Sequence, residues 1–237
     1  MMSDSFFMQF PELSDEHIEV SAAQLLSDYS EFSGSSVGTP IPVEAIAEHF
    51  LGYEIEISDE GLFADPDYLG GIIFANNVIQ VNASVESNEG RYNFTIAHEI
   101  GHHVLHREAY LEASAENASN ILCRDTNDKP LIEQQADRFA AALLMPQQAV
   151  SDAVSAVTRP SKLKTPRAVR GYAATVARAG SMGNVSNTAM VNRLIDLGYL
   201  SEASYQRGTS HDFSRRARPA FRGILWRLLT RYRRRMK

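Results

Sequence analysis

The chain has 237 residues with an apolar fraction of 44%, enough for one large domain or two small ones, and a formal net charge of −6. Its single cysteine, Cys123, excludes an internal disulfide and fits a reducing compartment. The first residues lack a basic region and a long apolar run, and no stretch approaches the roughly 18 apolar residues of a membrane span, so a cytoplasmic protein without a transmembrane segment is expected.

Residues 15 to 32 read as an amphipathic helix, broken by the Gly-Ser-rich run at 34–38. A second helix is expected from Pro42 to Leu51, since proline is tolerated in a first turn. Short strands follow at Tyr53–Ile57, Gly70–Phe74 and Val78–Val81, the last two joined by an Ala-Asn-Asn turn.

The next helix, about 90–106, carries the most informative residues of the chain. His98, Glu99 and His102 stand in the run HEIGH, the H-E-x-x-H arrangement. Positions i and i+4 lie one turn apart on the same helix face, so both imidazoles reach one zinc ion. Glu99, next to the first histidine, is placed to take a proton from a water activated by that ion. A catalytic zinc needs three protein ligands and an open fourth position. One class of site supplies a third histidine through H-E-x-x-H-x-x-G-x-x-H, but here Leu105 and Glu108 occupy the glycine and histidine positions. The other class takes a glutamate from a later helix.

Arg107 to Pro130 reads as a long polar connection, with room for a helical turn within 109–122. Then LIEQQADRFAAALLMP (131–146) places Ala136, Phe139, Ala140, Leu143 and Leu144 in a helical stripe that stops or restarts at Pro146. Glu133 near its start is the third candidate ligand. Asp137, one turn on, is the candidate partner that orients one of the zinc histidines. The remaining histidines carry weaker signals. His103 lies about 100° round the helix from His102 and points elsewhere. His106 follows on nearly the face of His98, about 12 Å along the axis, too far for the same metal, and is left to line the cleft or cap the helix end. His17, His49 and His211 have no partners in sequence. Tyr92, Tyr172 and His211 have the chemistry of an oxyanion donor, but no pattern selects one of them. Cys123 lies between the ligand segments and reads as an ordinary unpaired cysteine.

The stretch RYNFTIAHEIGHHVLH (91–106) followed by EQQADRFAAALLMP (133–146) resembles the ImmA/IrrE family of zinc metallopeptidases. Those proteins pair an R-x-x-F-T-x-A-H-E-x-G-H helix with a later E-x-x-A-N/D-x-F-A-x-x-L-L-M-P helix. PIPVEAIAEHFLGYEIEI (40–57) is similar to the family's leading helix and strand, and VIQVN (78–82) to the strand before its active-site helix. The likeness spans about residues 15–200 and departs from the family in the insertion-like stretch 107–130 and in the basic tail. It implies one zinc ion held by His98, His102 and Glu133, with Glu99 as catalytic base. It also implies a protein substrate, a helix-turn-helix transcriptional repressor whose cleavage relieves repression. Partly on this resemblance, the strand Val78–Asn82 is expected to line the cleft and pair with an extended substrate.

Beyond about residue 165 the character changes. Residues 1–158 hold 26 acidic and 5 basic side chains, whereas 159–237 hold 3 acidic and 18 basic ones, so the two parts have opposite charge. Residues 165–201 read as a helix, a Gly-rich turn and a second helix running from Val185-Ser186 through Leu197 to a stop at Gly198. This is similar to the helix-turn-helix-like segment of many family members, and it reads either as a hairpin packed on the core or as a DNA reader. From Arg215 onward there are ten basic residues and no acid. Phe221, Ile224, Leu225, Leu228, Leu229 and Tyr232 form an amphipathic stripe suited to the chain's own acidic half, to nucleic acid or to a membrane surface.

The fold expected is α+β, a small sheet packed beside zincin-type active-site helices and followed by an all-α, helix-turn-helix-like part. Its divisions are a peptidase domain over 1–158, a helical segment over 159–214 and a basic tail over 215–237. The function expected is zinc-dependent endopeptidase. Two other classes compete with it, a DNA-binding regulator with a structural zinc site and a toxin–antitoxin-type protein that binds its partner without cutting it. An intact Glu99 argues against both, because a structural site needs ligands but no base.

Overall fold

The computed structural model describes residues 10–64, 68–116, 131–158, 163 and 165–201. Helix α1 (Asp15–Ser33) opens on Ser14, whose hydroxyl accepts the His17 amide, and closes on Gly34 at φ 67°. That left-handed conformation suits glycine, which has no Cβ to clash. The face α1 buries is Ile18, Ala22 and Leu25. The second helix departs from expectation. A single α-helical turn, α2 (Val43–Ala45), runs straight into a π-helical turn over Ile46–Phe50. The chain then reverses through Gly52 at φ 73°, and the wider turn lets the Leu51 amide still reach the Ile46 carbonyl at 2.9 Å.

Three strands form one sheet: β1 (Glu54–Ser58), β2 (Gly70–Ile73) and β3 (Val78–Asn82). Their order is β1-β3-β2, with β3 parallel to β1 and antiparallel to β2. Ile79 is fully buried at the centre, aligned with Ile55 on one side and Ile72 on the other. Because β3 already pairs on both sides, it cannot also accept a substrate strand. The expectation that Val78–Asn82 does so is corrected, and the sheet edges are β1 and β2. Asn77 takes φ 52° in the β2–β3 turn, a conformation asparagine tolerates better than most residues. Asn82 ends β3 and caps the short helix α3 (Ala83–Glu86), its Oδ1 accepting from the Ser84 amide at 2.8 Å. Its buried Nδ2 donates to the Phe63 and Tyr68 carbonyls at 3.0 and 2.7 Å, tying down the connection into β2.

Helix α4 (Glu89–Glu116) has 28 residues and runs ten beyond the expected end at 106. The segment REAYLEASAE (107–116) is rich in strong helix formers, and Tyr110 packs on Phe74 with ring centroids 5.1 Å apart. The first part of the expected polar connection is therefore helix, and its remainder lies outside the described residues. Helix α5 (Leu131–Leu144) buries all five residues of the apolar stripe together with Glu133 and Gln135. Pro146 stops it and caps α6 (Gln147–Ala156). Next come α7 (Pro166–Ala179), capped by Thr165 with Pro166 in its first turn, and α8 (Asn187–Asp196), capped by Ser186.

Among the described residues the fold is α+β, a three-stranded sheet with mostly helices around it. One buried apolar cluster joins α1, the sheet, α4 and α5 to Val169, Tyr172 and Val176 of α7 and to Met190, Val191 and Leu194 of α8. Arg193 on α8 is 3% exposed, and its guanidinium holds the Met145 carbonyl at 2.9 Å and the Glu19 carboxylate of α1. Cys123, His211 and the basic tail from Arg215 lie outside the described residues.

Candidate metal centre

Helix α4 brings the two histidines of HEIGH to one face, and Gly101 between them lets α5 come close. A Cβ on Gly101 would lie 3.2 Å from both the Cα and the carbonyl oxygen of Ala136, a tight contact with the α5 backbone that glycine avoids. At this separation Glu133 reaches both rings. The Nε2 atoms of His98 and His102 are 3.1 Å apart. Oε2 of Glu133 is 3.3 Å from His98 Nε2, and its Oε1 is 3.4 Å from His102 Nε2. All three residues are buried, and their donor atoms lie within 4.8 Å of one another, a group that could hold a metal ion. Tetrahedral ligands at about 2.0–2.2 Å from zinc are separated by roughly 3.3–3.6 Å, close to the edges seen here. The donor set of two imidazoles and a carboxylate also suits zinc.

The electrostatics of this group distinguish its two buried glutamates. Burial opposes a charge on His98, but the hydrogen bonds its ring donates to Asp137 and Glu133 outweigh it and push the ring up to about 10. Burial would raise Glu133, yet His102 and His98 hold it well below the usual carboxylate range. Glu99, 4% exposed, goes the other way. Burial raises it, His98 and His102 oppose the rise, and the charge of Glu133 adds to it. Two carboxyls in one site with pKa values driven apart suit a ligand and a proton carrier. Gly70, the first residue of β2, lies against Glu99. A Cβ there would be 3.1 Å from Glu99 Oε1 and 2.3 Å from the Thr95 methyl.

Behind the rings each histidine has a partner. His98 Nδ1 lies 2.9 Å from Asp137 Oδ1, the pairing the sequence suggests for that aspartate. His102 Nδ1 lies 3.1 Å from His106 Nδ1, and His106 Nε2 lies 2.9 Å from Gln135 Oε1. His106 is buried, and burial together with the neighbouring His102 lowers it to about 4. The expectation that His106 caps the helix end does not hold, because the helix continues past it; its ring abuts His102. The sequence reading missed His106 and Gln135 as site residues. The signal available for His106 was its i+4 spacing from His102, the same spacing that joins His102 to His98.

Other candidates lie elsewhere. His103 faces away, 2.8 Å from the Tyr53 hydroxyl. Tyr92 donates to Glu44 Oε1 at 2.7 Å, and Tyr172 is buried in the core on α7. His17 and His49 are exposed.

A small sheet beside two helices, one carrying HEIGH and the other a buried glutamate, defines a metallopeptidase class of protein. The family model described as the IrrE N-terminal-like domain, a peptidase family, matches residues 42–163. That span exceeds half of the chain, and the chain belongs to this family. No curated protein matches it. The matched span holds the whole sheet and α3 to α6, including His98, Glu99, His102, Glu133 and Asp137. Among the described residues, no helix is long and apolar enough to cross a membrane.

Proposed function

We propose that this protein is a zinc-dependent endopeptidase with His98, His102 and Glu133 as its ligands and Glu99 as its general base. The observation that carries this reading is Glu99 itself. It is buried beside the three converging donors without being one of them, and burial raises its carboxyl above the ordinary value. A zinc ion in this site would polarise the scissile carbonyl and lower the pKa of an attacking water to about 7. With the ion bound, Glu99 would accept the proton of the attacking water on its carboxylate and return it to the leaving amine nitrogen. Asp137 holds the His98 ring by accepting its Nδ1 proton, leaving Nε2 directed at the metal position. In this reading an extended peptide pairs with the edge strand β2, which begins against Glu99.

The substrate this reading favours is a helix-turn-helix transcriptional repressor, by resemblance to ImmA/IrrE proteins, with the basic C-terminal part available to nucleic acid. Glu99→Gln tests the chemistry. The variant keeps zinc within about twofold of the parent while cleavage falls by at least about 10²-fold, the scale of a lost general base. A variant that cuts the repressor at the parental rate sinks the assignment of Glu99. A variant that relieves repression fully without cutting sinks proteolysis as the function.

A further inference from the structure

We propose that His106 and Gln135 act as positioning residues for His102, through a hydrogen-bond chain whose direction is set by the backbone carbonyl of Pro11. The inference rests on the reading of His102 as a metal ligand and adds two residues to that site. Gln135 Nε2 lies 3.0 Å from the Pro11 oxygen. A carbonyl oxygen only accepts, so the amide of Gln135 must turn its NH₂ that way and its Oε1 towards His106. His106 Nε2, 2.9 Å from that oxygen, must then carry its ring proton. In a neutral imidazole this leaves Nδ1 as an acceptor, and Nδ1 of His106 faces Nδ1 of His102 at 3.1 Å. His102 therefore donates from Nδ1, and its lone pair stays on Nε2, the atom that faces Glu133 and His98.

The chain thus runs from Pro11 through α5 to α4, and each step fixes the polarity of the next. His98 gets the same service from one carboxylate, Asp137. His102 has a neutral relay of two residues in that place. Phe10 packs edge-on against the His106 ring, centroids 5.7 Å apart, so the segment before α1 both anchors the chain and closes over it. A metal-ligand histidine that loses the acceptor behind it costs about 10–100-fold in metal affinity.

The test is zinc affinity, measured by chelator competition on the full chain, with the ring N–H proton of His102 followed by NMR in the zinc-loaded protein. His106→Phe keeps an aromatic ring against Phe10 and removes the acceptor. Gln135→Met removes both polar ends at similar length. Gln135→Glu, buried and protonated, keeps an acceptor towards His106 and an O–H donor towards Pro11. We expect the first two variants to bind zinc about 10–100-fold more weakly and to lose the slowly exchanging His102 proton, and Gln135→Glu to stay within about threefold of the parent. If His106→Phe does not fold, the two Gln135 variants decide by themselves, because a mere packing role would not separate glutamate from methionine in this order. Zinc binding by His106→Phe or Gln135→Met at parental strength overturns the relay, as does Gln135→Glu binding as weakly as Gln135→Met. A parent chain that binds no zinc overturns the metal site itself, which is a separate result.

Discussion

At the level of single residues, His98 holds a proton that a metal must displace. Its ring is raised from 6.5 to about 10 in the metal-free protein by Asp137 and Glu133, acting against burial. The stabilisation of the metal-free fold by this protonated ring is fully present below pH 6.5 and is lost as pH rises through about 10. Metal uptake at neutral pH accordingly releases one proton, and apparent zinc affinity climbs about tenfold per pH unit between 7 and 9. Calorimetry in buffers of different ionisation enthalpy measures that release directly, and a proton count near zero at pH 7 contradicts it. The converging donors could be picked out in the sequence because helical spacing is local: His98 and His102 are i and i+4, and Glu133 and Asp137 repeat that spacing. Gln135 was not legible, since it lies two positions from Glu133, about 200° round the helix. Its role exists only because the Pro11 carbonyl, 124 residues earlier, meets it.

Two glycines do at the level of elements what the donor residues cannot do for themselves. Gly101 sets the α4–α5 distance, with Ala136 backbone already 3.2 Å from where a Cβ would stand. Gly101→Val is expected to destabilise the fold by about 2 kcal/mol through overpacking and to weaken zinc binding as Glu133 moves away from the rings. A valine variant with parental melting temperature and zinc affinity would show that the helices can slide. Gly70→Ala acts on Glu99 instead. Thr95 is fully buried, and its hydroxyl donates to the Arg91 carbonyl at 3.0 Å, so its methyl has little room to retreat from an added Cβ. We expect kcat to drop about tenfold or more with zinc affinity unchanged, read by steady-state kinetics beside chelator competition. The three strands were readable from the sequence as segments, but their order was not. β1 and β3 are parallel neighbours with β2 between them in sequence, so the central place of β3 comes from long-range pairing. The extent of α4 was hidden for a different reason. Residues 107–116 are polar enough to look like a loop, yet their helix propensity carries the helix on past the histidines.

At the scale of the whole molecule, the opposite charge of the two parts is plain in the sequence, but its use in the fold is not. Arg193 is the single basic residue of α8, the second helix of the helix-turn-helix-like pair. It faces inward, bonded to the Met145 carbonyl at the α5–α6 corner and to Glu19 on α1, which joins helices from both ends of the described chain. A helix that reads DNA needs its cations on the surface, and α8 has spent its own on the core. This arrangement favours the packed-hairpin reading of α7 and α8. Arg193→Met keeps the length of the stem but leaves the Met145 carbonyl without this donor. Glu19 keeps partial access to water, its side chain being 28% exposed, so the lost ion pair contributes little beyond that carbonyl. We expect a loss of about 2 kcal/mol in urea unfolding, mostly the cost of the stranded buried acceptor, with the m-value unchanged. Zinc affinity of the folded variant stays at the parental level, because Arg193 touches none of the donor residues. A loss below about 0.5 kcal/mol would mean that water or a rearranged side chain satisfies the carbonyl, and that α8 is held by its apolar face alone.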